Sequence, residues 1–154
     1  MVTINDVAAA LMTRFAAATG YSAAVPGGTW FNRGPDTPAD YPYTVFTIEA
    51  QDPLLTLEAA YFQDFIVTAT AFCPVGDSGT NVATVEQVLF TALGSDAANT
   101  AFTSASLRNS GEAFIDCELA IPSEDYAEPL SSARDVAAAR LSVRLTARGD
   151  RSLA

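Results

Sequence analysis

Apolar residues recur along this chain in two rhythms, one helical and one of strands. Near the start, Ile4, Val7, Leu11 and Phe15 stand three or four apart, with Met12 beside them and alanines between. That spacing predicts a helix over about residues 4–18. Thr3-Ile4-Asn5-Asp6 has capping-box spacing, with Asp in place of the usual Glu, and Gly20 supplies a natural C′ stop. From Tyr21 to Pro42 the rhythm stops. Pro26-Gly27-Gly28, Gly34-Pro35, Pro38 and Pro42 exclude a long regular element there. A short strand at Thr29–Asn32 fits inside this stretch and would anchor the sole tryptophan, Trp30.

The pattern then changes to period two. Tyr43–Ala50 is β-branched and aromatic, and Gln51-Asp52-Pro53 breaks it. A long strand is predicted from Glu58 to Phe72. On it Phe65, Val67, Ala69, Ala71 and Cys73 share one face, while Asp64, Thr68 and Thr70 lie with Phe62, Ile66 and Phe72 on the other. The mixed second face predicts partial cover by a helix over its middle. Val82, Val85, Leu89 and Leu93 next form a helical stripe widened by Val88 and Ala92, with Thr80 or Asn81 as cap and Gly94 as stop. Ser95–Ser106 is small and polar and reads as a turn-like connection. Glu112–Ile121 alternates as a strand, with Ile115, Cys117, Leu119 and Ile121 pointing one way and Phe114, Asp116 and Glu118 the other. Pro122–Ala133 reads as an acidic excursion. In Val136–Arg148, arginine at every fourth position suits a helical face and the upstream alanines favour helix, but strict alternation over nine residues favours a strand.

The order helix, loop, strand, strand, helix, strand, strand implies an α+β fold: one mostly antiparallel β-sheet with two main helices packed on it. At 154 residues the chain is a single domain, residues 1–148, with residues 149–154 expected to fray. No apolar run approaches the roughly 18 residues that span a bilayer. Asp6 precedes the apolar Val7–Met12 stretch and no Lys or Arg does, which argues against a secretory signal and for a chain made in the cytosol.

Charge sharpens this picture. Residues 1–130 hold three arginines against sixteen carboxylates and residues 131–154 five against two, so an acidic body carries a basic tail and the net charge is −10. Such a chain repels free duplex nucleic acid, which is bound chiefly through its phosphates. The basic tail is expected to pack on its own body or on that of a neighbouring subunit.

Candidate chemistry is sparse. The chain has no histidine and no lysine, which excludes Ser-His-Asp and Cys-His arrangements, histidine-containing zinc sites, Schiff bases and the phosphate-loop lysine. Pro26–Gly28 and Val75–Gly79 match no phosphate fingerprint and read as turns, although the second precedes a helix N-terminus where an anion could bind. Glu124, Asp125 and Glu128 could gather calcium, but without any loop spacing that supports it. Asp116 and Glu118, on one strand face, would stand roughly 6.5–7 Å apart at Cα, near the separation of an inverting glycosidase. The stronger reading pairs them with Arg140, Arg144 or Arg148 on a neighbouring strand. Cys73 and Cys117 sit in strand-like runs and read as buried thiols, with a disulfide as the alternative. No catalytic residue, metal or cofactor is assigned.

The order of elements resembles that of a known family. An Ala-rich N-terminal helix leads through a Gly/Pro loop into Pro42-Tyr43-Thr44-Val45-Phe46; the long strand Phe65–Phe72 feeds the helix Val82–Leu93; a late loop meets the closing strand Ala139–Ala147. This is similar to the tail-terminator or tail-completion proteins of long-tailed bacteriophages and related particles. The resemblance implies a non-enzymatic virion protein, assembled in the host cytoplasm. It would form a homo-oligomeric ring, typically a hexamer, that caps the tail tube, stops its growth and joins it to the head connector in the neck. Its partners would be itself, the tail tube protein and the head–tail connector, with DNA sliding through the lumen without specific binding. The expected subunit contacts set Arg140, Arg144 and Arg148 against carboxylates of the body such as Asp116 and Glu118, and high salt should then loosen the ring. The same arginines could instead pair within the chain. Two other readings are another neck or tail adaptor, and a small cellular α+β binding domain or carboxylate-dependent hydrolase.

Overall fold

Thr3 starts the first helix as its sequence dictates. Its hydroxyl accepts the amide of Asp6, and the Asp6 carboxylate accepts the Thr3 amide in return, closing a capping box on α1 (Ile4–Ala17). In the computed structural model, residues 2–35, 42–55, 60–74, 80–104, 113–131 and 134–150 are described. Val7, Ala8, Leu11 and Phe15 form the buried stripe of α1. Ile4, expected on that face, and Met12, expected beside it, are exposed, and Ala8 is buried in the stripe. Gly20, at φ +77°, takes the left-handed conformation that glycine adopts without strain and leads into the one-turn α2 (Tyr21–Ala24).

The expected short strand is β1 (Thr29–Phe31), paired in parallel with β2 (Tyr43–Ala50). The two-residue β3 (Leu54–Leu55) pairs with the start of β4 (Ala60–Pro74). Helix α3 (Thr80–Leu89) runs on as a π-helical turn over Phe90–Gly94. Then follow α4 (Asp96–Ser104), β5 (Ala113–Ser131) and β6 (Arg134–Asp150). The sheet order is β1-β2-β4-β6-β5, antiparallel except at β1. This is the α+β single domain that the pattern of runs predicts. No described helix is long and apolar enough to cross a membrane.

The core lies between the helices and one face of the sheet. Phe65, Val67, Ala69, Ala71 and Cys73 of β4 and Ala139, Leu141, Val143, Leu145 and Ala147 of β6 are buried there with Val85, Leu89 and Leu93 of the α3 stripe. The ring of Phe15 packs at 4.8 Å from Tyr21 and 5.8 Å from Phe46, tying α1 to α2 and β2. The expected helix over the second face of β4 is absent among the described residues. That face stays open and half-buried, because the described helices all find their apolar partners on the other side.

Three expectations change. Ser95–Ser106 is largely helix: the Ser95 hydroxyl accepts the Ala98 amide as an N-cap, and Ala98 and Phe102, one turn apart, are buried. Phe102 meets Phe114 edge-on at 6.0 Å. Packing thus overrides the weak helix propensity of a Thr-, Ser- and Asn-containing segment. The acidic excursion is also strand, since Glu124–Pro129 pair with Arg140–Asp135 and β5 runs to Ser131. Its prolines sit on an edge strand, and Pro122 falls in a register shift, where a missing N–H costs no ladder bond. Finally, the closing segment is a strand throughout and keeps pairing to Asp150, so residues 149 and 150 are held rather than frayed. Residues 151–154 lie outside the described residues.

Candidate functional site

The two carboxylates that sequence spacing placed together stand opposite Thr146 and Arg144 of β6 and are engaged by different partners. A register shift between Phe114 and Asp116 inserts Ile115 as an extra residue, so alternation along β5 breaks. Phe114 and Cys117 are buried, while Ile115 and Leu119 are exposed, contrary to strict alternation. Asp116 is held by α4: Asn99 Nδ2 donates to its Oδ1 at 2.9 Å and to the Cys117 carbonyl at 3.1 Å. Glu118 pairs with Arg144 of β6. An acid and a base aimed at one substrate atom are therefore not assembled here.

Arg140, Arg144 and Arg148 do share the open face of β6, opposite Thr70, Ile66 and Phe62 of β4. The Arg144–Glu118 ion pair lies within the chain, across neighbouring strands, with both side chains about half exposed. Its partners face solvent, so its contribution is small, on the order of 0–1 kcal/mol. Thr68 and Ser142 hydroxyls meet at 2.9 Å, and Thr146 donates to Asp64 at 2.7 Å. Polar and apolar side chains thus mix on this face, with hydroxyl and carboxylate hydrogen bonds running across its strands.

One end of the open face is hollow. A concavity of about 490 Å³ is lined by Tyr43, Val45, Thr47, Thr68, Thr70 and Phe72, with the segment 33–35 as its wall. The Tyr43 and Phe72 rings meet there at a tilt of 31°, centroids 5.2 Å apart. Gly34 lets the wall approach: a Cβ there would lie 3.1 Å from the Tyr43 ring. Beside the hollow on the same face, Trp30 pairs in register with Val45 and is 41% exposed, with Nε1 donating to the Gly27 carbonyl at 3.1 Å.

At the far margin, on the helix side, an apolar projection stands out. The π-helical turn puts Phe90 outside the α3 stripe, 44% exposed. A Cβ on Gly94 would lie 3.1 Å from both Phe90 and Leu119, so those two side chains close over the glycine as one patch. The carbonyls at this helix end are satisfied from three directions. Arg14 of α1 donates Nε to Ala92 at 2.9 Å and Nη2 to Thr91 at 3.0 Å. Ser95 Oγ donates to Thr91 at 2.8 Å, and Cys117 Sγ donates to Leu93 at 3.2 Å. The turn is thereby fixed, and Phe90 with it. Periodicity offered one signal for this residue, an aromatic side chain off the Val85–Leu89–Leu93 stripe; the hollow had none, since it is made by three separate segments.

Cys73 and Cys117 are both buried and free, as two small hydrophobes. Burial, with Asp116 next to it, pushes the Cys117 thiol up to about 12, the Arg14 charge opposing. The residues therefore offer no reactive thiol. No group of three or more metal-ligating side chains occurs among the described residues. The Val75–Gly79 turn and the side chains of Glu124, Asp125 and Glu128 lie outside what is described.

No family model and no curated protein matches the chain. Among solved structures it is similar to a chain of the "Virion of native gene transfer agent (GTA) particle", at 18% identity with a TM-score of 0.58, over 92% of this chain and 93% of that one. A second solved chain is 16% identical over 94% of this chain and 96% of its own, with a TM-score of 0.48. At such identities the first likeness is one of fold, and it holds over nearly the full length of both chains.

Proposed function

We propose that the protein is a structural component of a phage-like particle: a tail terminator that closes into a ring at the head-proximal end of the tail tube. One observation carries this reading, the near end-to-end likeness of fold to a chain of a gene transfer agent virion. The residues agree with it. Glu118 is taken up in a cross-strand pair with Arg144 and Asp6 in the cap of α1. Trp30 at one margin and Phe90 with Leu119 at the other make the two ends of the subunit differ, which suits head-to-tail contacts that close when the rotation permits. A net charge of −10 suits a channel through which DNA slides without sticking.

In this role the ring, a hexamer by the family resemblance, ends tube growth and joins the tube to the head connector. Native mass measurement with negative-stain imaging tests it directly. A closed ring with a central hole is expected, and gold-labelled antibody should mark the head-proximal end of the tube in particles. A chain that stays monomeric at high concentration and is absent from particles would sink the proposal. Label elsewhere in the neck would replace the terminator with an adaptor of the same particle.

A further inference from the structure

The hollow and the projection differ in shape and lie where one chain cannot join them. The hollow opens on the bare side of the sheet over β2 and β4. The projection stands on the helix side, where the π-helical turn meets the β5 margin. We infer that Phe90 of one copy seats in the Tyr43–Val45–Thr70–Phe72 hollow of the next copy, and that this contact joins the ring. The inference rests on the ring reading above and assigns its interface.

Phe90 has the properties of an interface anchor. It is a large aromatic side chain, exposed, yet held on a turn whose carbonyls are fixed by Arg14, Ser95 and Cys117. Little freedom is left to lose on docking, which is what makes an anchor effective. The hollow offers the matching surface: the tilted ring pair of Tyr43 and Phe72, with Val45 and the threonines 47, 68 and 70 beside them. Trp30, next to Val45, extends it with a third aromatic, held by its bond to the Gly27 carbonyl.

Charge selects the same occupant. Around Phe90 the described helix layer carries Glu86 and Asp96, and its one arginine, Arg14, is turned inward onto the Thr91 and Ala92 carbonyls. The wall of the hollow carries Arg33. Docking the helix side of one copy onto the open side of the next brings acidic groups to a cation. Repeating the step laps each sheet margin over its neighbour in one direction, as a head-to-tail ring requires, and leaves neither surface unused.

The two halves can be broken separately. Phe90→Asp removes the projection and leaves the hollow; Thr70→Trp fills the hollow and leaves the projection. By native mass measurement each variant alone should be a monomer, with the ring lost even at concentrations roughly 100-fold above those that close the wild type. Mixed in equal amounts they should form a dimer and stop, since only one good contact remains. Trp30 emission in the wild type should shift to shorter wavelength as the ring closes. Far-UV circular dichroism checks the fold of each variant, and Thr47→Trp replaces Thr70→Trp if the latter unfolds. Amide exchange on the wild type is a second readout: protection should rise at 43–47, 68–72 and 89–94 on assembly. If the wild type forms rings while the variants still close, or those amides gain no protection, the interface is wrong and the ring stands. If the wild type never assembles, both fall.

Discussion

Arg14 shows how much one side chain holds. Its two donors occupy the Ala92 and Thr91 carbonyls at 2.9 and 3.0 Å, joining α1 to the end of the π-helical turn. Arg14→Ala leaves the Ala92 carbonyl without that donor and should cost on the order of 2 kcal/mol. Urea denaturation should read this as a lower midpoint at unchanged slope. Arg14→Lys should recover only part, because an ammonium cannot reproduce the fork that reaches both carbonyls. Cys117 makes a second prediction. Its thiol is raised from 9.0 to about 12 by burial. The unfolded thiol therefore ionises first, so its contribution to stability is complete below pH 9.0 and is lost as pH climbs toward 12. Burial of Tyr21 raises its phenol too and adds loss in the same direction. A thiol reagent at neutral pH should label neither cysteine until denaturant is added; prompt labelling of the native chain would contradict the buried, protonated thiol.

At the scale of elements, the pairing of β4 with β6 depends on Gly149. It stands opposite Tyr61, whose ring lies over it so closely that any Cβ would overlap the ring atoms. Tyr61 cannot easily retreat, being buried and accepting the Val2 amide on its hydroxyl at 2.6 Å. Gly149→Ala should therefore cost about 1–3 kcal/mol as overpacking, seen as a lower melting temperature. Tyr61→Ala in that background should relieve the clash while adding a cavity, making the pair non-additive. Most elements were legible beforehand. The α1 stripe and capping box, the one-sided apolar face of β4 and the nine-residue alternation of β6 each follow from local spacing. Helix α4 was not, because its signal is two apolar residues, Ala98 and Phe102, in a polar segment whose helicity depends on Phe114. The continuation of β5 was hidden for the same reason: pairing with β6 holds a strand that Pro122 and Pro129 argue against.

For the molecule as a whole, charge and shape separate. The sum of −10 is carried mostly by the body, while the arginines of β6 are set into the open face, one of them closed by Glu118. Duplex DNA at physiological salt should cause no change in fluorescence anisotropy when titrated with the protein, because no lysine and few arginines oppose sixteen carboxylates in the body. Saturable binding would contradict the proposed ring, whose channel DNA must cross without sticking. The candidate site was less legible than the fold. Asp116 and Glu118 looked like an acid–base pair from their spacing, but Asn99 of α4 engages one and Arg144 of β6 the other, which no local pattern shows.

The sequence by itself determined which segments become helix or strand wherever a periodic apolar face is long enough to specify its own burial. It also determined the chemistry that is out of reach, since a chain with neither histidine nor lysine cannot assemble sites that need them. Only the tertiary structure decided what meets what. A bulge of one residue reassigns every side chain beyond it, and the contacts of Arg14, Ser95 and Cys117 hold the π-helical turn that carries Phe90. The hollow over Tyr43 and Phe72 exists because the 33–35 segment, β2 and β4 converge from distant parts of the chain. Such features depend on register and on contacts between separated segments, and no local pattern encodes them.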